Sequence, residues 1–261
     1  MNRFQQLFSD VNKKAFVPFF MLGDPSVDES FELIKAAIDA GADALELGFP
    51  FSDPMADGPV IQASAERAIK AGCDYDSCIA LLKKIRAYAD LPIGLLLYYN
   101  LLYRRHDAYQ ELARVGVDAV LVADMPKEES KEHEAMLAQH GLGCIHLVAP
   151  NTPKARAAEI MSRATAFAYV IGRYGTTGVS DRLADDLADR IQGLKALSDC
   201  PLVVGFGVSS SEDVQAIFDA GGRGAIIGSA ITKIIEKNCG NILEAKKSIT
   251  TLVESCVKTG E

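Results

Sequence analysis

A single closed (β/α)8 barrel of the TIM type, with an extra N-terminal helix and spanning residues 1–261, is the fold the sequence predicts. Two observations carry it. Short, nearly continuous apolar runs alternate eight times with longer segments of helical spacing, and strands apolar on both faces belong to covered parallel sheets. A degenerate unit also recurs: A-G-A-D-A-L-E-L-G at 40–48, V-G-V-D-A-V-L-V-A-D at 115–124 and A-G-G-R-G-A-I-I-G-S at 220–229. In each, a helix stops at a glycine, the usual left-handed cap, and a strand begins shortly after. The chain length is usual for one such barrel. A doubly wound sheet is the alternative the same alternation allows.

The elements follow in order. Residues 1–11 predict a short amphipathic helix with Phe4, Leu7, Phe8 and Val11 on one face. The first strand is expected at 16–22, then G-D-P-S and a helix at 27–40 whose Phe31, Ile34 and Ile38 keep helical spacing. Strand two is 44–48, followed by a Pro- and Gly-braced acidic loop and helices at 60–71 and 76–88. Strand three at 93–98 precedes a helix at 108–115, and strand four at 119–122 precedes an acidic helix at 128–140. Strands at 144–148 and 166–171 lead to helices at 153–163 and 183–197. Strand seven at 202–205 feeds a helix at 211–220, strand eight at 225–227 feeds one at 229–237, and a last helix covers 242–257.

Composition narrows the function classes. Hydrophobic residues are 49% of the chain and charged residues 24%, which suits a globular protein with a large core. A formal charge of −8, with no long basic block, argues against nucleic acid as a partner. No apolar run approaches the roughly 20 residues that span a bilayer, so no membrane role is expected. The first residues lack the apolar stretch of an export signal, and a cytoplasmic location is expected. Six cysteines at 73, 78, 144, 200, 239 and 256 form no C-x-x-C, and the four histidines stand apart from them. Free or buried thiols are expected, with no metal site. His133 and His140 read as exposed helix positions.

In a βα barrel, function gathers at the carboxyl ends of the strands. Glu46 stands there, flanked by Leu45 and Leu47, with Asp53 and Asp57 in the loop beyond. A carboxylate in an apolar strand is paired, protonated or placed for chemistry. Two acids in different environments can divide acid and base work. The structural alternatives are Glu46 pairing with a buried arginine or capping a helix, and Asp57 capping the helix that starts near Pro59. Glycine-rich segments follow the last three strands: G-R-Y-G-T-T-G at 172–178, G-F-G-V-S-S at 205–210 and G-S opening the helix at 229. Free backbone N–H groups and a positive helix end accept an anion there without lysine or arginine; tight turns alone are the other reading. Phe19, Tyr98, Tyr169 and Phe206 at strand ends could wall a flat apolar ligand, or simply be core. No strand end carries a lysine for Schiff-base chemistry.

These residues carry a family resemblance. V-P-F-F-M-L-G-D-P at 17–25, L-E-L-G-F-P-F-S-D-P-M-A-D-G-P-V-I-Q at 45–62, G-L-L-L-Y-Y-N at 94–100, V-L-V-A-D-M-P at 120–126, G-T-T-G at 175–178, G-F-G-V-S-S at 205–210 and I-G-S-A-I at 227–231 resemble the tryptophan synthase alpha chain family. The resemblance implies retro-aldol cleavage of indole-3-glycerol phosphate to indole and glyceraldehyde 3-phosphate. It implies Glu46 as general acid/base and Asp57 as the acid on the indole N–H. It places the phosphate at Gly178, Gly207, Gly228 and Ser229, the indole among Phe19, Leu96, Tyr98, Tyr169 and Phe206, and Thr177 on a closing loop. It also implies a beta-chain partner in an alpha2beta2 complex, touched by the 50s loop and the segments near Asn100 and Asp124. No cofactor is implied in this chain; pyridoxal phosphate is expected in the partner. Tyr174 and Tyr99 depart from the family pattern, bearing on loop closure and on the partner surface.

Overall fold

The computed structural model describes residues 1–172 and 186–260. Eight parallel strands close a barrel in chain order, with the eighth pairing the first. They are β1 (Ala15–Met21), β2 (Leu45–Gly48), β3 (Ile93–Leu97), β4 (Ala119–Val122), β5 (Gly143–Val148), β6 (Phe167–Ile171), β7 (Leu202–Gly205) and β8 (Gly224–Ile227). All but two of their residues are buried, as strands covered on both faces must be. The repeat glycines Gly41, Gly116 and Gly221 take φ of 96°, 85° and 95°, the left-handed stop that starts each new strand.

The helices are α1 (Arg3–Leu7), α2 (Val27–Asp39), α3 (Pro59–Lys70), α4 (Tyr75–Tyr88), α5 (Tyr99–Tyr103), α6 (Ala108–Arg114), α7 (Lys131–Gln139), α8 (Lys154–Arg163), α9 (Leu187–Lys195), α10 (Ser211–Asp219), α11 (Ser229–Lys237) and α12 (Ile242–Val257). α5 went unpredicted because five residues hold too little periodicity to read; the Asp124 carboxylate accepts its first N–H at 2.8 Å. α7 starts at Lys131 rather than 128, because 126–130 forms turns in which Glu128 pairs Arg156 and Lys127 pairs Glu159. The predicted start of α9 at 183 lies outside the described residues.

α1 closes the amino end of the barrel. Asn2 and Gln5 form a reciprocal capping box. Phe4 packs edge-on to Phe167 of β6 at 5.2 Å between centroids, and Gly94 of β3 leaves room for its ring. The helix ends at Leu7, so Val11 is not on its face as expected but 74% exposed. Asp118 anchors this floor: its carboxylate accepts the Ile93 N–H at 2.9 Å, Arg86 at 3.0 Å and Arg3 at 3.1 Å. Asp118→Ala leaves the largely buried Arg86 without its carboxylate and is expected to cost about 3–5 kcal/mol in denaturant unfolding.

Two histidine expectations fail. His133 is buried, its Nδ1 2.8 Å from the Tyr109 hydroxyl on α6, and burial pushes its pKa down to about 4. It faces the neighbouring helix, which the sequence of α7 alone does not reveal. Nor do cysteine and histidine stand apart. Cys144 and His146, two apart on β5, share a face with Sγ 3.4 Å from Nε2, and Glu134 Oε1 lies 2.8 Å from the same nitrogen.

Candidate active site

The carboxyl ends of the strands surround a concave cavity that Glu46, Asp57, Gly207, Gly228 and Ser229 all line. β2 delivers Glu46, in register between Phe19 of β1 and Gly94 of β3. Its side chain is 4% exposed, and among the described residues neither carboxylate oxygen has a hydrogen-bond partner. No arginine among the described residues pairs with it. Burial first, and the nearby Asp57 second, push its pKa up to about 8.

Asp57 faces the same cavity from the loop after β2. It does not cap α3, whose N-cap is Gly58 with no side-chain hydrogen bond. Instead its Oδ2 accepts the Tyr98 hydroxyl at 3.0 Å. Burial raises its pKa to about 6, and the Tyr98 hydrogen bond opposes that rise. The Tyr98 oxygen also accepts the Ala56 N–H at 3.1 Å, which braces the loop. β3 ends at Leu97, so Tyr98 turns as the N-cap of α5, stacks on Phe51 at 5.0 Å and stands behind Asp57 rather than lining the cavity.

The walls are apolar. Phe19, Leu96, Tyr169 and Phe206 line the cavity, the last two edge-to-face at 5.7 Å. Ile61, Val208 and Ile226 join them and were missed. Ile226 carried no mark of its own, since its strand is apolar on both faces; Ile61 belongs to a helix start that only the fold brings to the cavity. Gly205 is required by packing, because a Cβ there would fall 2.0 Å from the Tyr169 oxygen.

Gly207, Gly228 and Ser229 line the same cavity, Gly228 following β8, which like β2 pairs with β1. Gly228 is the N-cap of α11, so the positive helix end and its unpaired N–H groups open toward the cavity. A Cβ on Gly228 would come within 3.2 Å of the Phe19 ring. Phe206 and Gly207 both take positive φ, 62° and 96°, a costly conformation for a phenylalanine that turns the chain across the mouth. No basic side chain lines the cavity among the described residues. Gly178, Thr177 and Tyr174 lie outside the described residues. For cations, Glu134, Cys144 and His146 form a compact group among the described residues; it lies off the cavity, with Arg163 on the other Glu134 oxygen.

A closed barrel with two buried acids and a helix N-terminus lining one cavity at the carboxyl ends of its strands defines a TIM barrel with its polar groups gathered where such barrels hold their active sites. The family model described as "Tryptophan synthase alpha chain" matches residues 4–259. Accordingly, the chain belongs to the tryptophan synthase alpha chain family, which makes it a lyase. Among relatives, the tryptophan synthase alpha chain of Cronobacter sakazakii is 43% identical over 97% of this chain and 96% of its own length. That of Methanothermobacter thermautotrophicus is 40% identical over 91% and 89%. Among solved structures, a tryptophan synthase complex from Pyrococcus furiosus superposes with a TM-score of 0.86 at 32% identity, covering 94% of this chain and 98% of that one. An a2b2 complex from the same organism gives 0.87 at 34%, with the same coverage.

Proposed function

We propose that the chain cleaves indole-3-glycerol phosphate into indole and glyceraldehyde 3-phosphate by a retro-aldol step. The carrying observation is the buried Glu46 carboxyl, unpartnered among the described residues, on one cavity with the α11 N-terminus. With a pKa of about 8, Glu46 is protonated near neutrality and serves as the acid that protonates the indole C3 carbon. The resulting carboxylate then takes the proton of the glycerol hydroxyl as the carbon–carbon bond breaks. Asp57, with a pKa of about 6, is ionised at that pH, accepts the indole N–H and stabilises the cationic ring. Phe19, Leu96, Tyr169 and Phe206 hold the flat ring, with Tyr98 steadying Asp57 from behind. Gly207, Gly228 and Ser229, together with Gly178, bind the phosphate, and Thr177 belongs to the closing loop. Anchoring the phosphate orients a bond several atoms away.

The chain works, on this reading, without a cofactor of its own in the cytoplasm, as one barrel domain in an alpha2beta2 complex whose beta chain carries pyridoxal phosphate and receives the indole. No helix among the described residues is long and apolar enough to cross a membrane. Incubating the purified chain with indole-3-glycerol phosphate, with and without a beta chain, tests this directly. Indole should appear in both, faster with the partner; no indole in either overturns the assignment. Tyr98→Phe removes the bond that holds Asp57 down, so its pKa rises and the acid limb of the rate profile moves upward. Activity below pH 6 should fall up to about tenfold and change little at pH 8.

A further inference from the structure

Away from the mouth, two thiols meet at the start of α4. Asp74 is the N-cap, its carboxylate accepting the Ser77 N–H at 2.8 Å. Cys73 and Cys78 therefore occupy the positions just before the cap and four residues into the helix, where apolar side chains commonly staple a helix entry. Here the staple is sulfur on sulfur, with Sγ–Sγ at 3.6 Å. Both are buried, Cys73 at 5% exposure and Cys78 at 0%, so Cys73 is the member nearer the surface. The Cys73 thiol points to the Leu22 carbonyl at 3.6 Å, and its sulfur would lie 2.4 Å from a Cβ on Gly23. The pair is thus wedged under the turn that leaves β1. The next residue there, Asp24, holds Ser64 and Arg67 of α3 at 2.6 and 2.8 Å.

We propose that Cys73 and Cys78 are a redox-active dithiol that closes to a disulfide when a peroxide reaches Cys73. Cys73 is the attacking sulfur: hydrogen peroxide oxidises its thiol to a sulfenic acid and one water leaves. The Cys78 sulfur then displaces the hydroxyl of that sulfenic acid, and its own proton departs with it as a second water. Each sulfur loses one electron, and the two electrons reduce the peroxide. The contact between the two thiols lowers the pKa of Cys73, while the same contact and burial raise that of Cys78. That ordering suits a first thiol that reacts and a second that resolves. The product covalently ties the α3–α4 turn to the first turn of α4, and a small dithiol reductant reverses it.

Tryptic peptide 71–83 contains both sulfurs and no internal cleavage site, which makes the product easy to read. After hydrogen peroxide treatment of the intact chain, this peptide should run two hydrogens lighter without reduction and return to its original mass with dithiothreitol. With dimedone present, Cys78→Ser should trap a Cys73 adduct at least about tenfold more abundantly than the wild type, whose sulfenic acid is consumed by Cys78. Cys78→Ala serves as a second trap variant, and the wild-type mass reading depends on neither. The proposal is overturned if peptide 71–83 keeps both free thiols while the exposed Cys239 is oxidised, or if wild type and variant give equal dimedone adducts at Cys73.

Discussion

Glu46→Gln is expected to slow indole release by about 10²–10⁴-fold, the range that general acid–base catalysis supplies. Gln keeps the shape and removes the proton that the reaction uses twice. The same change should raise stability in alkaline solution. The Glu46 pKa of about 8 in the folded chain exceeds the ordinary carboxyl value of 4.5. Between these limits the folded state holds a proton that the unfolded state has shed, so wild-type stability falls as pH rises through that window. The glutamine variant lacks this slope. Thermal melts of both proteins at pH 5 and pH 8 should therefore diverge in favour of the variant only at the higher pH. A slow variant that shows no pH-dependent gain would mean that Glu46 is not buried as an acid.

Gly207→Asp is expected to raise KM for indole-3-glycerol phosphate at least about 100-fold, equivalent to about 3 kcal/mol of lost binding. Two effects act together at this residue. Its φ of 96° is left-handed, tolerated by aspartate and asparagine better than by other side chains. The added carboxylate also sets a negative charge beside the helix end proposed to receive the phosphate. Gly207→Asn separates the two, since it shares the shape without the charge, and should recover most of the binding. If both variants weaken binding equally, backbone strain rather than charge governs that turn. If neither does, the phosphate is held elsewhere.

The strands and the acids were legible in the chain for the same reason: both break a simple rule. Runs such as Gly94–Leu97 are apolar on both faces, which only a covered parallel sheet explains. Glu46 is a charge among leucines. What stayed hidden depends on partners distant in sequence. Tyr98 looked like a wall, and only the fold sets it behind Asp57, 41 residues away. His133 looked solvated because the helix that buries it supplies Tyr109, 24 residues earlier. Cys144 and His146 were missed as neighbours although two-residue spacing on a strand puts them on one face, so that signal was present and unread. The left-handed Phe206 had no sequence mark at all, since phenylalanine is the wrong residue for that conformation.

The aromatic seal beneath the barrel has a consequence for docking. With Phe4 and Phe167 packed across the amino end, the Glu46 cavity lies, among the described residues, at the carboxyl rim of the barrel. A protein that docks on that rim therefore sits over the cavity rather than over the sealed floor.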